Sequence, residues 1–213
     1  MIKTNQSIQQ AVIQGNVGSI TKIVKHLLEQ RHTAQQILDD QLLPGMEVVG
    51  ERFKRNEMFL PQILMSAQAM QTAIDILKPI LIQNADSSSR KTIIIGTVKG
   101  DMHDIGKNLV RIMLVGAGFE VIDLGVNVPA QHFLDATAEH QAAVVCLSAL
   151  LSSTMNNMRE VVQLFRSSGQ LNNTRIMIGG ASVSQQFSQS IGADAYAPSA
   201  PLAVELVRSF YNL

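Results

Sequence analysis

Apolar residues in the first 84 positions recur at the spacing of α-helices. Residues that return every three or four positions predict helices with one buried face. A proline fits the first turn of a helix, where its missing N–H needs no partner, so Pro61 marks the start of the third pattern. The breaks between the patterns are short, which predicts a small helical bundle. The apolar positions of the three patterns are Val17, Ile20, Val24, Leu27 and Leu28, then Ile37, Leu38, Leu42, Met46 and Val49, then Ile63, Leu64, Ala67, Met70, Ile74 and Leu77.

From residue 91 onward, short apolar runs alternate with helical patterns. The first run, Thr92–Val98, is rich in β-branched residues, as expected of a strand buried on both faces. Strands that alternate with helices through short loops predict an α/β domain with a parallel sheet covered on both faces. Such a sheet binds ligands at the carboxyl ends of its strands, near the switch in strand order. The other predicted strands are 119–124, 143–147, 175–178 and 194–196, and the predicted helices are 105–116, a segment after Pro129, 154–166, 184–191 and a segment from Pro201.

A polar stretch separates the two patterns. Residues 84–90 are rich in serine and carry no apolar periodicity, which is typical of a linker. The sequence therefore predicts a helical domain at 1–84, a linker at 85–90 and an α/β domain at 91–213.

Composition and charge narrow the classes of function. The chain has 213 residues, 46% hydrophobic and 4% aromatic, and its 17 basic and 17 acidic side chains balance. Balanced charge argues against a partner held by bulk electrostatics, such as nucleic acid or a membrane surface. The single cysteine, Cys146, excludes an intramolecular disulfide and a four-cysteine zinc site. No signal pattern begins the chain and no apolar run is long enough to span a bilayer, so we expect a cytoplasmic protein without nucleic-acid or membrane partners.

The loop after the first predicted strand carries the candidate chemistry. Gly96, Gly100 and Gly106 have the wrong spacing for a dinucleotide fingerprint or a Walker loop. The loop instead offers His103, a candidate metal ligand whose other ring nitrogen could donate to Asp101. The residues alone leave a second interpretation equally open, in which Asp104 caps a helix and His103 is merely exposed. The histidines elsewhere are interpreted as surface residues, and they are His26, His32, His132 and His140.

These residues resemble a known family. The stretch Asp101–Gly106 resembles the Asp-x-His-x-x-Gly signature of cobalamin-binding domains. The resemblance extends to the methyl-carrying module of methionine synthase and to the corrinoid proteins of bacterial and archaeal methyltransferase systems. It implies an N-terminal four-helix bundle cap followed by a flavodoxin-like (Rossmann-like) domain with a five-stranded parallel sheet. The other similar stretches are Thr97–Gly100, Asp123–Pro129, Ser148–Leu150 and Gly179–Ala181 in the second half, and Pro44–Phe53 and Met58–Gln62 in the cap.

The resemblance implies a role for individual residues. Cobalamin binds with its own base displaced from cobalt, and His103 is the lower metal ligand. Asp101 bonds His103, and Thr154 completes a proton-linked chain in which methionine synthase has serine. The residues alone favour bundle core for Phe53 and Leu60, but the resemblance implies that they shield the upper face of the corrin. The remaining implied contacts are Gly100, Met102, Asp104, Ile105 and Gly106 in the loop, Ser148, Leu150, Ser152, Gly179, Gly180 and Ala200 along the nucleotide tail, and Asp39 in the cap.

The resemblance implies a methyl carrier of one-carbon metabolism. Its cobalamin, methylcobalamin at one stage of the cycle, would take a methyl group from a substrate-specific methyltransferase. A second methyltransferase would pass that group to tetrahydrofolate or coenzyme M, and a reductive activation protein would be a further partner. The chain would then be a carrier subunit and not a complete enzyme.

Other functions are open to a cobalamin-type chain. A cobalamin-dependent sensor or regulatory module has a tryptophan motif in its helical cap, and this chain has no tryptophan. An adenosylcobalamin mutase subunit carries the histidine loop, but the capping bundle argues against it. A response-regulator-like receiver explains an aspartate on a strand-end loop, but neither His103 nor the cap.

Overall fold

The computed structural model describes residues 7–83, 91–169 and 173–213. Contacts between residues divide the chain into two compact units, Met1–Ser89 with Gly116–Gly118, and Arg90–Val115 with Phe119–Leu213. The predicted linker at 85–90 lies outside the described residues, and the predicted domain limits stay a prediction. Within the described ranges, no helix has the length and apolar character needed to cross a membrane.

The first unit is helical. Its third helical segment is continuous from Ala34 to Lys54 and contains a π-helical turn just before Pro44. Proline has no N–H to donate to the carbonyl of Asp40, so the regular hydrogen-bond ladder is interrupted there. The sequence patterns missed only the short first helix. The helices are α1 (Ile8–Ile13), α2 (Val17–Glu29), α3 (Ala34–Ile37), the π-helical turn (Leu38–Leu42), α4 (Leu43–Lys54) and α5 (Leu60–Gln83).

The buried face of the longest helix differs from the predicted one at one position. Leu64 was expected on the apolar face of α5, but it is 46% exposed. Ser66, Ala69 and Ala73 are buried on this helix, and Ser66 Oγ donates to the carbonyl of Ile13. Small residues let α5 approach its neighbours closely, and no count of apolar residues along the sequence would have found them.

The second unit is a five-stranded parallel sheet with helices, as predicted. The strand order is β2-β1-β3-β4-β5, and every pairing is parallel. This is the flavodoxin-like order. The elements are β1 (Thr92–Thr97), α6 (Ile105–Gly116), β2 (Glu120–Asp123), α7 (Ala130–Glu139), β3 (Val144–Ser148), a short 3-10 turn (Ser152–Thr154), α8 (Met155–Ser168), β4 (Arg175–Gly179), α9 (Gln185–Ile191), β5 (Ala195–Ala197) and α10 (Ala200–Phe210).

The central strands are buried on both faces, as their apolar runs predict. All residues of β1 are buried. Packing explains the glycine at position 96, because a Cβ there would lie 2.8 Å from the ring of Phe133, which is fully buried in the core. The core of this unit therefore forms around β1 and β3 with aromatic side chains from the flanking helices.

The topology opens a crevice at one edge of the sheet. The chain leaves β1 to form β2 on one side, and β3 then pairs with β1 on the other side. The loops that follow β1 and β3 therefore diverge at the carboxyl edge, which is the usual ligand site of such a sheet.

Candidate cofactor-binding site

The loop after β1, residues 98–104, is called the histidine loop here. It begins with a tight turn in which the Asp101 amide donates to the carbonyl of Val98 at 3.1 Å. Gly100 has a φ of +80°, a conformation that favours glycine at this turn. The hydroxyl of Thr97 donates to the carbonyl of His103 at 2.9 Å. The backbone of the loop is thus fixed at both ends before α6 begins.

The buried carboxylate of Asp101 joins the histidine loop to the loop after β3. One oxygen, Oδ1, accepts from the His103 amide at 3.1 Å and lies 2.7 Å from His103 Nδ1. The other, Oδ2, accepts from the amides of Leu150 and Leu151 at 2.8 and 3.1 Å and from the hydroxyl of Thr154 at 2.8 Å. Asp101 is 0% exposed, so these donors replace its hydration. The three residues of the predicted chain are therefore adjacent at the switch point.

The electrostatics of Asp101 determine the tautomer of His103. Burial by itself raises the pKa of the carboxyl, but the hydrogen bonds from His103, Thr154 and Leu151 outweigh it and hold the pKa well below its usual range. An ionised carboxylate only accepts hydrogen bonds, so the 2.7 Å contact requires the proton on Nδ1. The lone pair of a neutral imidazole then lies on Nε2. The side chain is 51% exposed, so a ligand can reach it.

Thr154 has two acceptors for one proton. Its Oγ1 lies 2.8 Å from Asp101 Oδ2 and 2.8 Å from the carbonyl of Leu151. A hydroxyl has a single hydrogen, so it donates to one of them at a time. Thr154 is buried, so bulk water does not compete for this hydroxyl.

Asp104 occupies the position of a helix N-cap. Its carbonyl accepts the first hydrogen bond of α6, from the Asn108 amide at 2.7 Å, and its carboxylate accepts from Asn108 Nδ2 at 3.0 Å. The two interpretations of the loop are thus compatible, because the cap at Asp104 does not engage the ring of His103.

Apolar side chains surround His103 at the surface. Met102 and Ile105 are exposed beside it, and Leu150 and Leu151 are partly exposed on the facing loop. A group of exposed apolar side chains marks a binding surface more often than single ones do. Gly106 has open space where a Cβ would stand. Together they form an apolar surface with one nitrogen ligand.

The other predicted contacts lie along the same edge of the sheet. Ser148 ends β3 opposite Gly179, Ser152 lies exposed in the 3-10 turn, and Ala200 is the buried first residue of α10. Gly180 has a φ of +131°, and a Cβ there would lie 1.9 Å from the carbonyl oxygen of Ala149. The protein's own backbone therefore requires glycine at position 180.

Comparison with known proteins decides the family. A B12 binding domain family matches residues 91–207, and a second B12 binding domain family matches residues 4–78. The chain is 36% identical, over 93% of both chains, to a dimethylamine corrinoid protein of Methanosarcina barkeri. This chain belongs to the B12-binding corrinoid proteins. It therefore binds a corrinoid cofactor.

Two solved structures of the corrinoid family share the fold. A cobalamin-binding protein from Desulfitobacterium hafniense DCB-2 has 33% identity and a TM-score of 0.75, with 95% of this chain and 96% of that chain covered. The methanol:cobalamin methyltransferase complex MtaBC from Methanosarcina barkeri has 28% identity and a TM-score of 0.86, with 96% and 78% covered.

The residues at the switch point fit a corrinoid. Within residues 7–83, 91–169 and 173–213, no group of three or more His, Cys, Asp or Glu side chains is placed to share a metal ion. A corrin ring supplies four nitrogens to its own cobalt, so a protein that binds it need not offer a cluster of metal ligands. His103 Nε2, with exposed apolar residues nearby in the sequence, is available as a single further ligand.

The cap residues of this corrinoid protein lie in the helical unit. Phe53 on α4 and Leu60 at the start of α5 are both half-buried. Phe59, which precedes Leu60, is 69% exposed. Asp39 lies in the π-helical turn, where it accepts from Gln35 Nε2 at 2.8 Å. The contribution of these residues to the cofactor stays a prediction.

Sequence reasoning also missed an ion pair between the buried Lys107 of α6 and the more exposed Asp123 at the end of β2. Lys107 is 3% exposed, and its Nζ lies 2.6 and 2.7 Å from the carboxylate oxygens of Asp123. The sequence did carry a signal for this contact. Lys107 lies seven residues before the buried Leu114, which places its charge on the buried face of α6. The pair fixes the first turn of α6 to the end of β2.

Asp101→Asn is expected to destabilise the cofactor-free chain by about 2–3 kcal/mol at neutral pH, because an N–H2 group then faces donors. The pKa of Asp101 is lowered in the folded chain, so its carboxylate stabilises the fold fully above about pH 4. That contribution is lost as pH falls towards the folded pKa. Urea unfolding should therefore show a difference between the two chains that shrinks from neutral pH to about pH 3.

Asp135→Asn is the matched control, since Asp135 accepts only a surface hydrogen bond from Gln131 in the described contacts. It should change the free energy of unfolding by less than about 0.5 kcal/mol. A pH-independent difference for Asp101→Asn would contradict the assigned charge state.

Proposed function

We propose that this corrinoid protein is a methyl carrier. It binds cobalamin in a form in which the base of the cofactor is displaced and His103 is the metal ligand. It then receives a methyl group from a substrate-specific methyltransferase and delivers it to a second methyltransferase. The acceptor there is tetrahydrofolate or coenzyme M. When bound, the cobalamin supplies a metal centre that accepts and donates methyl groups. The observation that carries the proposal is the chain from Thr154 through Asp101 to His103 at the switch point.

The first task of these residues is to hold the imidazole. Asp101 keeps the proton on Nδ1 and fixes the plane of the ring, which makes Nε2 a more basic ligand. The amides of Leu150 and Leu151 keep the carboxylate in place without adding a charge. The basicity of His103 is thus determined by the loop after β3.

The second task is to adjust that basicity. A Thr154 hydroxyl that donates to Asp101 withdraws negative charge from the carboxylate, and one that donates to Leu151 restores it. A stronger negative charge on Asp101 strengthens the hydrogen bond from Nδ1 and hence the donor power of Nε2. Rotation of one buried hydroxyl can therefore match the ligand to two states of the cofactor.

The remaining predicted residues are proposed to enclose the cofactor. Ser148, Ser152, Gly179, Gly180 and Ala200 line the path of the displaced nucleotide tail, a proposal supported by their common place at the carboxyl edge of β3, β4 and β5. The hydroxyls of Ser148 and Ser152 suit a tail that carries phosphate and sugar.

Phe53 and Leu60 are proposed to exclude water from the reactive face of the cofactor. Their partial exposure in the helical unit supports this role, since each leaves some apolar surface free for a ligand.

The partners are proposed from the relatives. The Methanosarcina relative is named for dimethylamine and one solved structure is a complex of a methanol:cobalamin methyltransferase, so a methyltransferase for a small methylated compound is the first partner. A methylated amine is the first donor to test. A reductive activation protein completes the proposed set.

Methyl transfer tests the proposal directly. A purified methyltransferase for methylated amines would be mixed with the cobalamin-loaded full chain and an isotope-labelled methylated amine. We expect the label on the protein-bound cofactor in wild type, and a loss of at least about 100-fold in the transfer rate for His103→Ala. His132→Ala, an exposed histidine on α7, is the control and should transfer normally. Equal labelling in wild type and His103→Ala would contradict the role of His103.

A further inference from the structure

The loop between β2 and α7, residues 124–129, is hydrogen-bonded to the end of β1 and to the histidine loop. The carbonyl of Gly125 accepts from the Thr97 amide at 2.9 Å, and the Val128 amide donates to the carbonyl of Thr97 at 3.0 Å. These bonds extend the sheet pairing of β1 beyond the last residue of β2. The two loops therefore lie side by side as a short ladder.

Asn127 makes two bonds to adjacent residues of the histidine loop. Its side-chain carbonyl Oδ1 accepts from the Gly100 amide at 2.7 Å, and its own amide donates to the carbonyl of Asp101 at 3.0 Å. Asn127 has a φ of +55°, in the left-handed region that asparagine tolerates better than most residues. The two bonds therefore hold the backbone on both sides of the Gly100–Asp101 peptide, at the Gly100 amide and at the Asp101 carbonyl.

We propose that Asn127 is a positioning residue for the metal ligand. Its side-chain carbonyl fixes the Gly100 amide, which orients the backbone of Asp101 and therefore the carboxylate that holds the ring of His103. The inference rests on the proposed role of His103 as the metal ligand. Asp101 is then held twice, at its backbone by Asn127 and at its carboxylate by Leu150, Leu151 and Thr154.

The loop that carries Asn127 is itself anchored. Asp123 Oδ1 accepts from the Gly125 amide at 2.9 Å, and Lys107 Nζ binds the same carboxylate at 2.6 Å. Asp123 therefore joins the start of this loop to α6 through Lys107. Because its own loop is anchored, Asn127 can determine the position of the histidine loop through its two hydrogen bonds.

Two substitutions separate the side-chain bond from the backbone conformation. Asn127→Gly keeps the left-handed φ without strain and removes the acceptor, whereas Asn127→Asp keeps both the conformation and the acceptor. Asn212→Gly is the matched control, because Asn212 has the same φ of +55° near the end of the chain.

Amide hydrogen exchange of the cofactor-free full chain, followed by NMR, measures how firmly Asn127 holds the histidine loop. Asn127→Gly should speed exchange of the Gly100 amide by about 10-fold, because that amide loses its acceptor. The His103 amide is bonded to Asp101 and not to Asn127, and its exchange should be faster by about 3-fold. The Ile176 amide, bonded to Asp194, should not change. Asn127→Asp and Asn212→Gly should exchange as wild type does. An unchanged His103 amide in Asn127→Gly would overturn the proposal.

Cobalamin binding gives the second measurement. Asn127→Gly should weaken binding about 3- to 10-fold, and Asn127→Asp should restore it. Magnetic resonance of the reduced, paramagnetic cofactor, on a chain whose histidines carry heavy-isotope nitrogen, shows whether a histidine is bound to the metal. The fraction of protein with histidine on the metal should fall in Asn127→Gly and not in the other two variants. Equal affinity and equal fraction in wild type and Asn127→Gly would also overturn the proposal.

The two proposals can fail separately. A wild-type spectrum without a histidine signal would refute the ligand role of His103, while the exchange of the His103 amide would still decide whether Asn127 positions the loop.

Discussion

His103→Ala is expected to remove the protein ligand from bound cobalamin and to weaken binding by at least about 100-fold. Changes to residues that merely support a ligand cost about 10- to 100-fold, and the loss of the ligand itself costs more. The side chain is 51% exposed, so its removal leaves little cavity and the fold should persist. The expected signature is the loss of histidine nitrogen coupling in the magnetic resonance spectrum of the reduced, isotope-labelled protein.

His132→Ala is the control, since His132 is an exposed histidine of the same unit. It should keep the histidine signal and the wild-type affinity. Free imidazole should restore a nitrogen ligand to the His103→Ala protein, because the vacated position faces solvent. A wild-type spectrum in His103→Ala would refute the assignment of the metal ligand.

Gly180→Ala is expected to destabilise the α/β unit by about 3 kcal/mol. The new Cβ would lie 1.9 Å from the carbonyl oxygen of Ala149, and a φ of +131° is unfavourable for any side chain. A clash between a Cβ and a backbone carbonyl cannot be relieved by a change of rotamer, so the loop after β3 must move. That loop also carries the Leu150 and Leu151 amides that bind Asp101, and cobalamin affinity should fall as well.

Gly192→Ala separates crowding from backbone strain. Gly192 has a φ of +76° and nothing within 4 Å of a built Cβ, so this change should cost only about 1 kcal/mol. Urea unfolding of both variants measures the difference, and cobalamin titration of Gly192→Ala should match wild type. Equal destabilisation by the two substitutions would show that the contact with Ala149 is not the cause.

Asp101 explains why one site depends on several loops. Its two oxygens accept five hydrogen bonds from the histidine loop and the loop after β3. A carboxylate with this many donors stays ionised, and an ionised carboxylate gives His103 a defined tautomer. The direction of the lone pair on Nε2 is thus a consequence of loop packing.

Several parts of the fold could be predicted because their signals are local. The β-branched run at Thr92–Val98 indicated the buried strand β1, and the alternation that follows indicated the parallel sheet. Helical periodicity found α2 and α5 in the first unit, but it missed α1, whose six residues are too short for a clear period, and it misplaced Leu64. Local patterns report which face is buried on average and not how closely neighbouring helices approach.

By itself, the sequence determined that Asp101 and His103 lie two positions apart on a strand-end loop, which is close enough for the carboxylate to reach the imidazole. Only the tertiary structure decided the environment of that chemistry. The Thr154 hydroxyl reaches Asp101 across 53 positions, Leu150 across 49 and the Asn127 side chain reaches Gly100 across 27. The glycine at 180 follows from the carbonyl of Ala149 on another strand's loop. Parallel strands bring these distant residues to one edge, and no spacing along the chain records which atoms meet there.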